Sequence, residues 1–208
     1  VDAGRHDLTD QRVITIDPEG AKDHDDAIAV EAEGAVIRLW VHIADVARYV
    51  RHGGAIDREA ARRGNSVYVP GTVDPMLPER LSSDVCSLRP GADRKVVTVE
   101  MLIDGDGEVT DTRFFRALIH SRRRMTYPEV DRFFAGGSLG DAALETDLGV
   151  ARTLAERLRL RRMRRGALGI ETAEPSFTFA GERLVGVEME GQTAAHSLVE
   201  ECMIAANE

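Results

Sequence analysis

Four aspartates lie within ten residues near the start of the chain, in the segment TIDPEGAKDHDDAIAV. They are Asp17, Asp23, Asp25 and Asp26. Carboxylates repel one another, and burying them costs free energy. The runs before and after the cluster are nevertheless apolar and typical of strands, so both ends of the cluster should lie beside a hydrophobic core. Negative charges held together in this way need cations.

A cluster of carboxylates offers only oxygen ligands, which favour hard metal ions such as Mg²⁺ or Mn²⁺. Such a cluster can hold two ions ~3.5–4 Å apart, the arrangement that cleaves phosphodiesters by in-line displacement. Two other interpretations are open: a solvated polar loop and a calcium-binding loop. The EF-hand pattern is not met, because no glycine follows the third acid and no glutamate closes the loop at the required position. The residues alone leave a catalytic metal site and a polar loop as the alternatives.

The 208-residue chain has an ordinary globular composition, with 43% apolar and 30% charged residues. This length suits one large domain, or one domain with a small appendage. No apolar run approaches the ~20 residues of a membrane span, and the polar N-terminus is unlike a signal peptide, so no membrane partner is expected. Cys86 and Cys202 are far apart and predict neither a disulfide framework nor a paired-cysteine zinc site. A reducing cytoplasm is the expected compartment.

The net charge of -9 argues weakly against a nucleic-acid-binding protein, because phosphate contacts come mainly from Lys and Arg. The arginines are unevenly spread, however, with concentrations at residues 122–124 and 157–165. Two interpretations of the second cluster are open, a solvated helix face and the lining of an RNA channel. A carboxylate metal site beside basic walls would have this charge distribution.

The hydrophobic pattern predicts a mixture of strands and helices. Alternation predicts a strand at 12–17 and hairpins at 27–44, 95–121 and 177–190. Helical spacing and glycine stops predict helices at 55–65, 126–136, 141–166 and 193–208. The Pro-, Gly- and Ser-rich stretch 69–94 is expected to be a long loop with one helical turn. This order predicts an α+β fold, a mixed and mainly antiparallel sheet with helices packed around it.

The segment TIDPEGAKDHDDA strongly resembles the opening motif of the RNB domain of the ribonuclease II and ribonuclease R family. Five later segments are similar to RNB blocks and follow in the family's order. They are VHIADVARYV, IDREAARRGNSVYVPGTVDPMLPERLSSDVCSL, HSRRRMTYPEV, RRGALGIETAEPSF and AHSLVEECMIAAN. The family usually has Phe at the position of His24, a departure that leaves the four aspartates intact.

The resemblance implies a processive, metal-dependent 3'-to-5' exoribonuclease that hydrolyses single-stranded RNA and releases nucleoside 5'-monophosphates. The implied cofactor is Mg²⁺, with Mn²⁺ as a second possibility, and the implied partner is the 3' end of single-stranded RNA. A catalytically inactive RNB-like RNA-binding module is the alternative, although a binding module would not need the aspartates. A metal-binding structural domain unrelated to RNA does not fit the ordered blocks.

The family's motif carries roles to the four aspartates residue by residue. Asp17 and Asp26 are implied as direct metal ligands, and Asp23 as the next ligand and a catalytic candidate. Asp25 is implied to orient the water or a ligand, and its position is expected to be essential.

Other site residues are implied outside the aspartate motif. Tyr68 matches a tyrosine that stacks on bases near the 3' end, which suits a contact that tolerates any sequence. Tyr127 matches a second active-site tyrosine, and Phe177 a residue that clamps the terminal base. A core position is the alternative for each of these three. Adjacent residues on a helix point about 100° apart, so only one of Glu200 and Glu201 should face the metal shell, with Glu201 as a catalytic candidate and Glu200 as possible support.

RNB domains continue past the segment that resembles AHSLVEECMIAAN, and the later part carries an arginine that grips the scissile phosphate. Residues 1–208 are therefore expected to be the N-terminal part of the catalytic domain, without cold-shock and S1 domains. The remainder of the RNB domain is then a required partner, and the chain alone is expected to be inactive.

Overall fold

The computed structural model describes residues 4–69, 72–169, 173–181 and 183–208. Five strands close into a barrel in the order β1-β2-β3-β6-β7, with β7 returning to β1. These strands are β1 (His6–Asp17), β2 (Asp26–Glu33), β3 (Val36–Ala44), β6 (Asp93–Ile103) and β7 (Val109–Thr126). The predicted α+β fold with a mainly antiparallel sheet is confirmed.

The barrel closes through a parallel contact between β1 and β7, whereas its other strand pairs are antiparallel. The contact pairs His6 with Ala117 and Leu8 with Ile119 in the first half of β1, which lies outside the predicted strand. The polar sequence HDLTDQ lacks the alternation of apolar residues that predicts a strand. The strand conformation of this half therefore depends on its pairing with β7.

Two of the predicted hairpins connect neighbouring barrel strands. The β2–β3 hairpin turns at Gly34, which has a φ of +65°. The β6–β7 hairpin turns at residues 104–107, where the Asp104 carboxylate accepts hydrogen bonds from two backbone N–H groups. Gly107 has a φ of +82°, and a Cβ at this position would come within 2.6 Å of the Arg157 carbonyl oxygen. Only glycine fits this turn without displacing the helix that it contacts.

Four α-helices follow the predicted positions, and side chains cap three of them. They are α1 (Ala55–Arg63), α2 (Tyr127–Phe134), α3 (Ala142–Arg164) and α4 (Ala194–Asn207). The side chains of Thr126, Asp141 and Thr193 accept hydrogen bonds from first-turn N–H groups of α2, α3 and α4, respectively. No helix within the described ranges is long and apolar enough to cross a membrane.

The hydrophobic core has two parts, formed by alternate residues of the same strands. Ile14 and Ile28 belong to the larger cluster, which packs against helical residues such as Leu148. Their neighbours Val13 and Ala27 belong to a smaller cluster on the opposite face of the sheet. Helices α2, α3 and α4 thus cover one face of the barrel sheet.

Two separate hairpins lie outside the barrel, β4 (Val67–Val69) with β5 (Thr72–Asp74), and β8 (Glu174–Ala180) with β9 (Arg183–Glu190). The predicted long loop is therefore partly strand, and its helical turn is a π-helical segment at Arg80–Val85. Residues 70–71 of the predicted loop and residue 182 of the third predicted hairpin lie outside the described residues, as do residues 170–172 of the segment RRGALGIETAEPSF.

Candidate active site

The aspartates lie in the connection between two paired barrel strands. Asp17 is the last residue of β1 and Asp26 is the first residue of β2. These strands are antiparallel, with Ile14 opposite Ile28, so the end of one lies beside the start of the other. Residues 18–25 bridge them, and the fold thereby brings the four carboxylates to one end of the sheet.

Three hydrogen bonds join the connecting loop to β3 and to the segment before β6. The Ala44 N–H donates to the Asp25 carbonyl oxygen at 2.9 Å. The Leu88 N–H donates to the His24 carbonyl oxygen at 2.8 Å, and the His24 N–H donates to Oγ of the buried Ser87 at 3.2 Å. These hydrogen bonds fix residues 24 and 25 at the β2 end of the loop, unlike those of a fully solvated polar loop.

The carboxylates raise one another's pKa values. Burial raises the pKa of Asp26 to about 6, and the charges of Asp17 and Asp25 add to this effect. Asp25 is exposed at the surface, but partial desolvation by the surrounding loop raises its pKa, and the charges of Asp23 and Asp17 add to this effect. Mutual repulsion of this kind is relieved when a cation binds between the carboxylates.

Tyr68, on β4, is joined to the aspartate loop. Its hydroxyl donates a hydrogen bond to Oδ2 of Asp23 at 2.6 Å, and this bond raises the pKa of the Tyr68 hydroxyl. The side chain is nevertheless 62% exposed, so the core alternative for Tyr68 does not hold. The aromatic face remains open to a ligand beside the carboxylates.

Tyr127 lies at the start of α2, directly after the β7 residue that pairs with Asp17. Burial raises the pKa of Tyr127 to about 12, and the charges of Asp26 and Asp17 add to the shift. Its ring stacks on His196 of α4 at a centroid distance of 3.8 Å. His196 borders this site because α4 packs beside α2, a contact that the sequence alone does not indicate.

The two adjacent glutamates of α4 have different environments. Glu201 is buried, and Arg162 of α3 binds both of its carboxylate oxygens, at 2.6 Å and 3.2 Å. Glu200 is more exposed and accepts a hydrogen bond from the Gln192 side chain. The structure thus ties Glu201 to α3, so its carboxylate is already neutralised by an arginine.

Phe177 lies on β8, opposite Val187 of β9. Its side chain is 42% exposed, so it does not occupy the core position that strand alternation allows. The β8–β9 hairpin forms its own two-stranded sheet. Phe177 is therefore available for contact but is not a member of the barrel's aspartate loop.

His24 contacts Asp17 directly. Its Nδ1 lies 2.8 Å from Asp17 Oδ2, and the two side chains are 5% and 11% exposed. His24 lies between the presumed ligands and is not one of them, so the resemblance assigns it no role. The fold turns its ring toward the carboxylate at the end of β1.

The donor set suits a hard divalent ion, although the side chains do not form a complete ligand group. Asp17 is buried at the end of β1, and the raised pKa values of Asp25 and Asp26 favour added positive charge beside it. Across the described ranges, no three His, Cys, Asp or Glu side chains are arranged to hold a metal ion. The chemistry of the oxygens fits Mg²⁺ or Mn²⁺, and binding would need the carboxylates to turn toward the ion.

The chain also matches a protein-family model. The family model described as RNB domain matches residues 5–208. The chain belongs to the RNB domain family. Across 99% of its length, this RNB chain is 43% identical to Ribonuclease R of Escherichia coli (strain K12) and 45% identical to Ribonuclease R of Thermotoga maritima.

A solved structure shares the same RNB fold. The Mycoplasma genitalium RNase R in complex with ribose methylated single-stranded RNA covers the whole chain with a TM-score of 0.95 and 34% identity. The chain spans 33% of that protein, and 26% and 30% of the two curated relatives. It therefore corresponds to about a third or less of each of these proteins.

Proposed function

We propose that the protein is a metal-dependent 3'-to-5' exoribonuclease that hydrolyses single-stranded RNA to nucleoside 5'-monophosphates. The observation that carries this proposal is the anchored aspartate loop between β1 and β2, in a chain that belongs to the RNB domain family. Support comes from relatives named Ribonuclease R and from the similar RNase R solved with single-stranded RNA.

Asp17, Asp23 and Asp26 would hold Mg²⁺, with Mn²⁺ as the alternative ion. Bound divalent ions would supply an activated water and a stabilising charge for the leaving oxygen. Asp25 is the remaining carboxylate of the loop, and its backbone is fixed by Ala44. We assign it the task of orienting the attacking water.

The two tyrosines would position the RNA and the carboxylates. The exposed ring of Tyr68 would stack on a base near the 3' end, which suits a substrate of any sequence. Its hydroxyl would keep Asp23 in place. Tyr127, between the aspartates and His196, would border the reacting phosphate, and Phe177 would contact the terminal base.

Glu201 would have a structural role beside the site. Arg162 already binds both of its oxygens, so this glutamate would hold α4 against α3 and thereby position Tyr127 through His196. Glu200 stays a second supporting candidate. The N-terminal-part assignment of residues 1–208 and the inactivity of the chain alone stay predictions. The cytoplasmic location, based on the unpaired Cys86 and Cys202, also stays a prediction.

Product analysis tests the proposal directly. The complete gene product would be incubated with single-stranded RNA carrying a label in its 3'-terminal nucleotide, with Mg²⁺ or with EDTA. We expect immediate release of labelled nucleoside 5'-monophosphate, dependent on Mg²⁺. Labelled oligonucleotides as the first products would indicate an endonuclease, and bound but intact RNA would indicate a binding module without activity.

A further inference from the structure

The contact between His24 and Asp17 joins two buried groups. Nδ1 of His24 and Oδ2 of Asp17 are 2.8 Å apart, yet the pair is out of line for an ideal hydrogen bond. Neither atom has another hydrogen-bonding partner in the part of the chain that the structure describes. Two buried lone pairs at this distance would repel each other without compensation. A carboxylate only accepts hydrogen bonds, so Nδ1 is the atom of this contact that can supply the proton.

The backbone of His24 is held independently of its side chain. The Leu88 N–H binds the His24 carbonyl oxygen, and the Ser87 hydroxyl accepts from the His24 N–H. The same hydroxyl donates to the Lys22 carbonyl oxygen at 2.9 Å. The ring is therefore presented to Asp17 from a fixed position, and a small rotation of the imidazole would align the bond.

We propose that His24 is a positioning residue, whose Nδ1–H holds Oδ2 of Asp17 and leaves the other carboxylate oxygen for a divalent ion. This inference rests on the proposed metal site. Hydrogen bonds to a ligating carboxylate fix its orientation before the ion arrives, and losing such a partner costs about tenfold or more in metal affinity. A phenylalanine at this position would fill the space without fixing Asp17.

Amide side chains distinguish this role from simple packing. The amide nitrogen of Asn is attached to Cγ, as Nδ1 is in His, whereas the amide nitrogen of Gln is one bond farther out and corresponds to Nε2. His24→Asn should therefore preserve the hydrogen bond to Asp17, and His24→Gln should not. His24→Phe removes the donor and keeps a ring.

The test is a Mn²⁺ titration of the complete gene product without RNA, with free Mn²⁺ measured by electron paramagnetic resonance. We expect His24→Phe and His24→Gln to weaken Mn²⁺ binding about tenfold or more, and His24→Asn to stay close to the wild type. The matched control is His52→Phe, because the ring of His52 also lies near an aspartate, 3.4 Å from Asp57, but is fully exposed. This control should bind Mn²⁺ as the wild type does.

Each outcome decides between the two proposals. Unchanged Mn²⁺ affinity in His24→Phe would overturn the positioning role and leave the metal site standing. An equal loss in His24→Asn and His24→Phe would overturn the Nδ1 hydrogen bond, because packing alone would then explain the effect. A wild type that binds no Mn²⁺ would overturn the metal site and the positioning role together.

Discussion

Asp26→Asn is expected to stabilise the metal-free protein at neutral pH. Burial and the charges of Asp17 and Asp25 raise the pKa of Asp26 from 3.8 to about 6. One pKa unit corresponds to about 1.4 kcal/mol, so the shift corresponds to a cost of about 3 kcal/mol for keeping this carboxylate ionised in the folded protein. Asparagine removes the charge at nearly the same volume.

The sign of the pH dependence follows from the direction of the shift. A carboxyl group with a raised pKa in the folded protein favours folding below its unfolded pKa, and this contribution is lost as the pH rises through the folded value. For Asp26 the loss occurs between about pH 4 and pH 6. The variant and the wild type should therefore have similar free energies of unfolding near pH 4 and differ by about 3 kcal/mol above pH 7.

The assay is urea-induced unfolding in EDTA at a series of pH values. The matched control is Asp147→Asn, because Asp147 is an aspartate whose carboxylate is bound by Arg12 through two hydrogen bonds. Neutralising this paired carboxylate should lower the free energy of unfolding by at most about 1 kcal/mol. A variant that is less stable than the wild type above pH 7 would contradict the cost assigned to the ionised Asp26 carboxylate. So would a difference in the free energy of unfolding that does not change with pH.

Three further changes test other parts of the site. Asp25→Asn is expected to slow RNA cleavage about 100-fold or more. RNA affinity should stay nearly intact, because no cationic side chain is removed. A large loss of RNA affinity in a filter-binding assay would contradict this prediction. Tyr68→Ala should weaken single-stranded RNA binding by about 1–3 kcal/mol, and Tyr68→Phe, which keeps the ring, should not. Arg162→Met leaves the buried Glu201 unpaired and should cost about 3 kcal/mol in the free energy of unfolding. Arg161→Met removes ion pairs with the exposed Glu108 and Glu208 and should cost less than about 1 kcal/mol; equal costs would contradict the argument from carboxylate burial.

Local patterns explain the part of the fold that the sequence predicts. The hairpin turns at Gly34 and residues 104–107 and the helix stop at Gly64 depend on neighbouring residues, so alternation and glycine positions reveal them. The parallel closure of β1 on β7 depends on residues more than 100 positions apart. The segment HDLTDQ has no strand pattern of its own and acquires its structure from that contact.

In the candidate site, too, the sequence predicts what neighbouring residues determine and does not predict what contacts between distant residues determine. The aspartates are recognisable because they are adjacent in sequence, and Asp17 and Asp26 fall at the strand ends that the apolar runs predict. The roles of His24 and His196 depend on which side chains the fold brings to them, and the residues adjacent to each histidine in the sequence do not indicate that. Likewise, helix geometry predicts that the side chains of adjacent glutamates point in different directions. Only the packing of α3 against α4 shows that Glu201 is the buried one.

The most direct measurement is a degradation assay with 5'-labelled single-stranded RNA, comparing the complete gene product with its Asp25→Asn variant in Mg²⁺ and in EDTA. We predict a ladder that shortens from the 3' end for the wild type in Mg²⁺, and intact RNA in the other three conditions. RNA that stays intact with the wild type in Mg²⁺, or that is degraded equally by the variant, would contradict the claim that this aspartate loop is a metal-dependent hydrolytic centre.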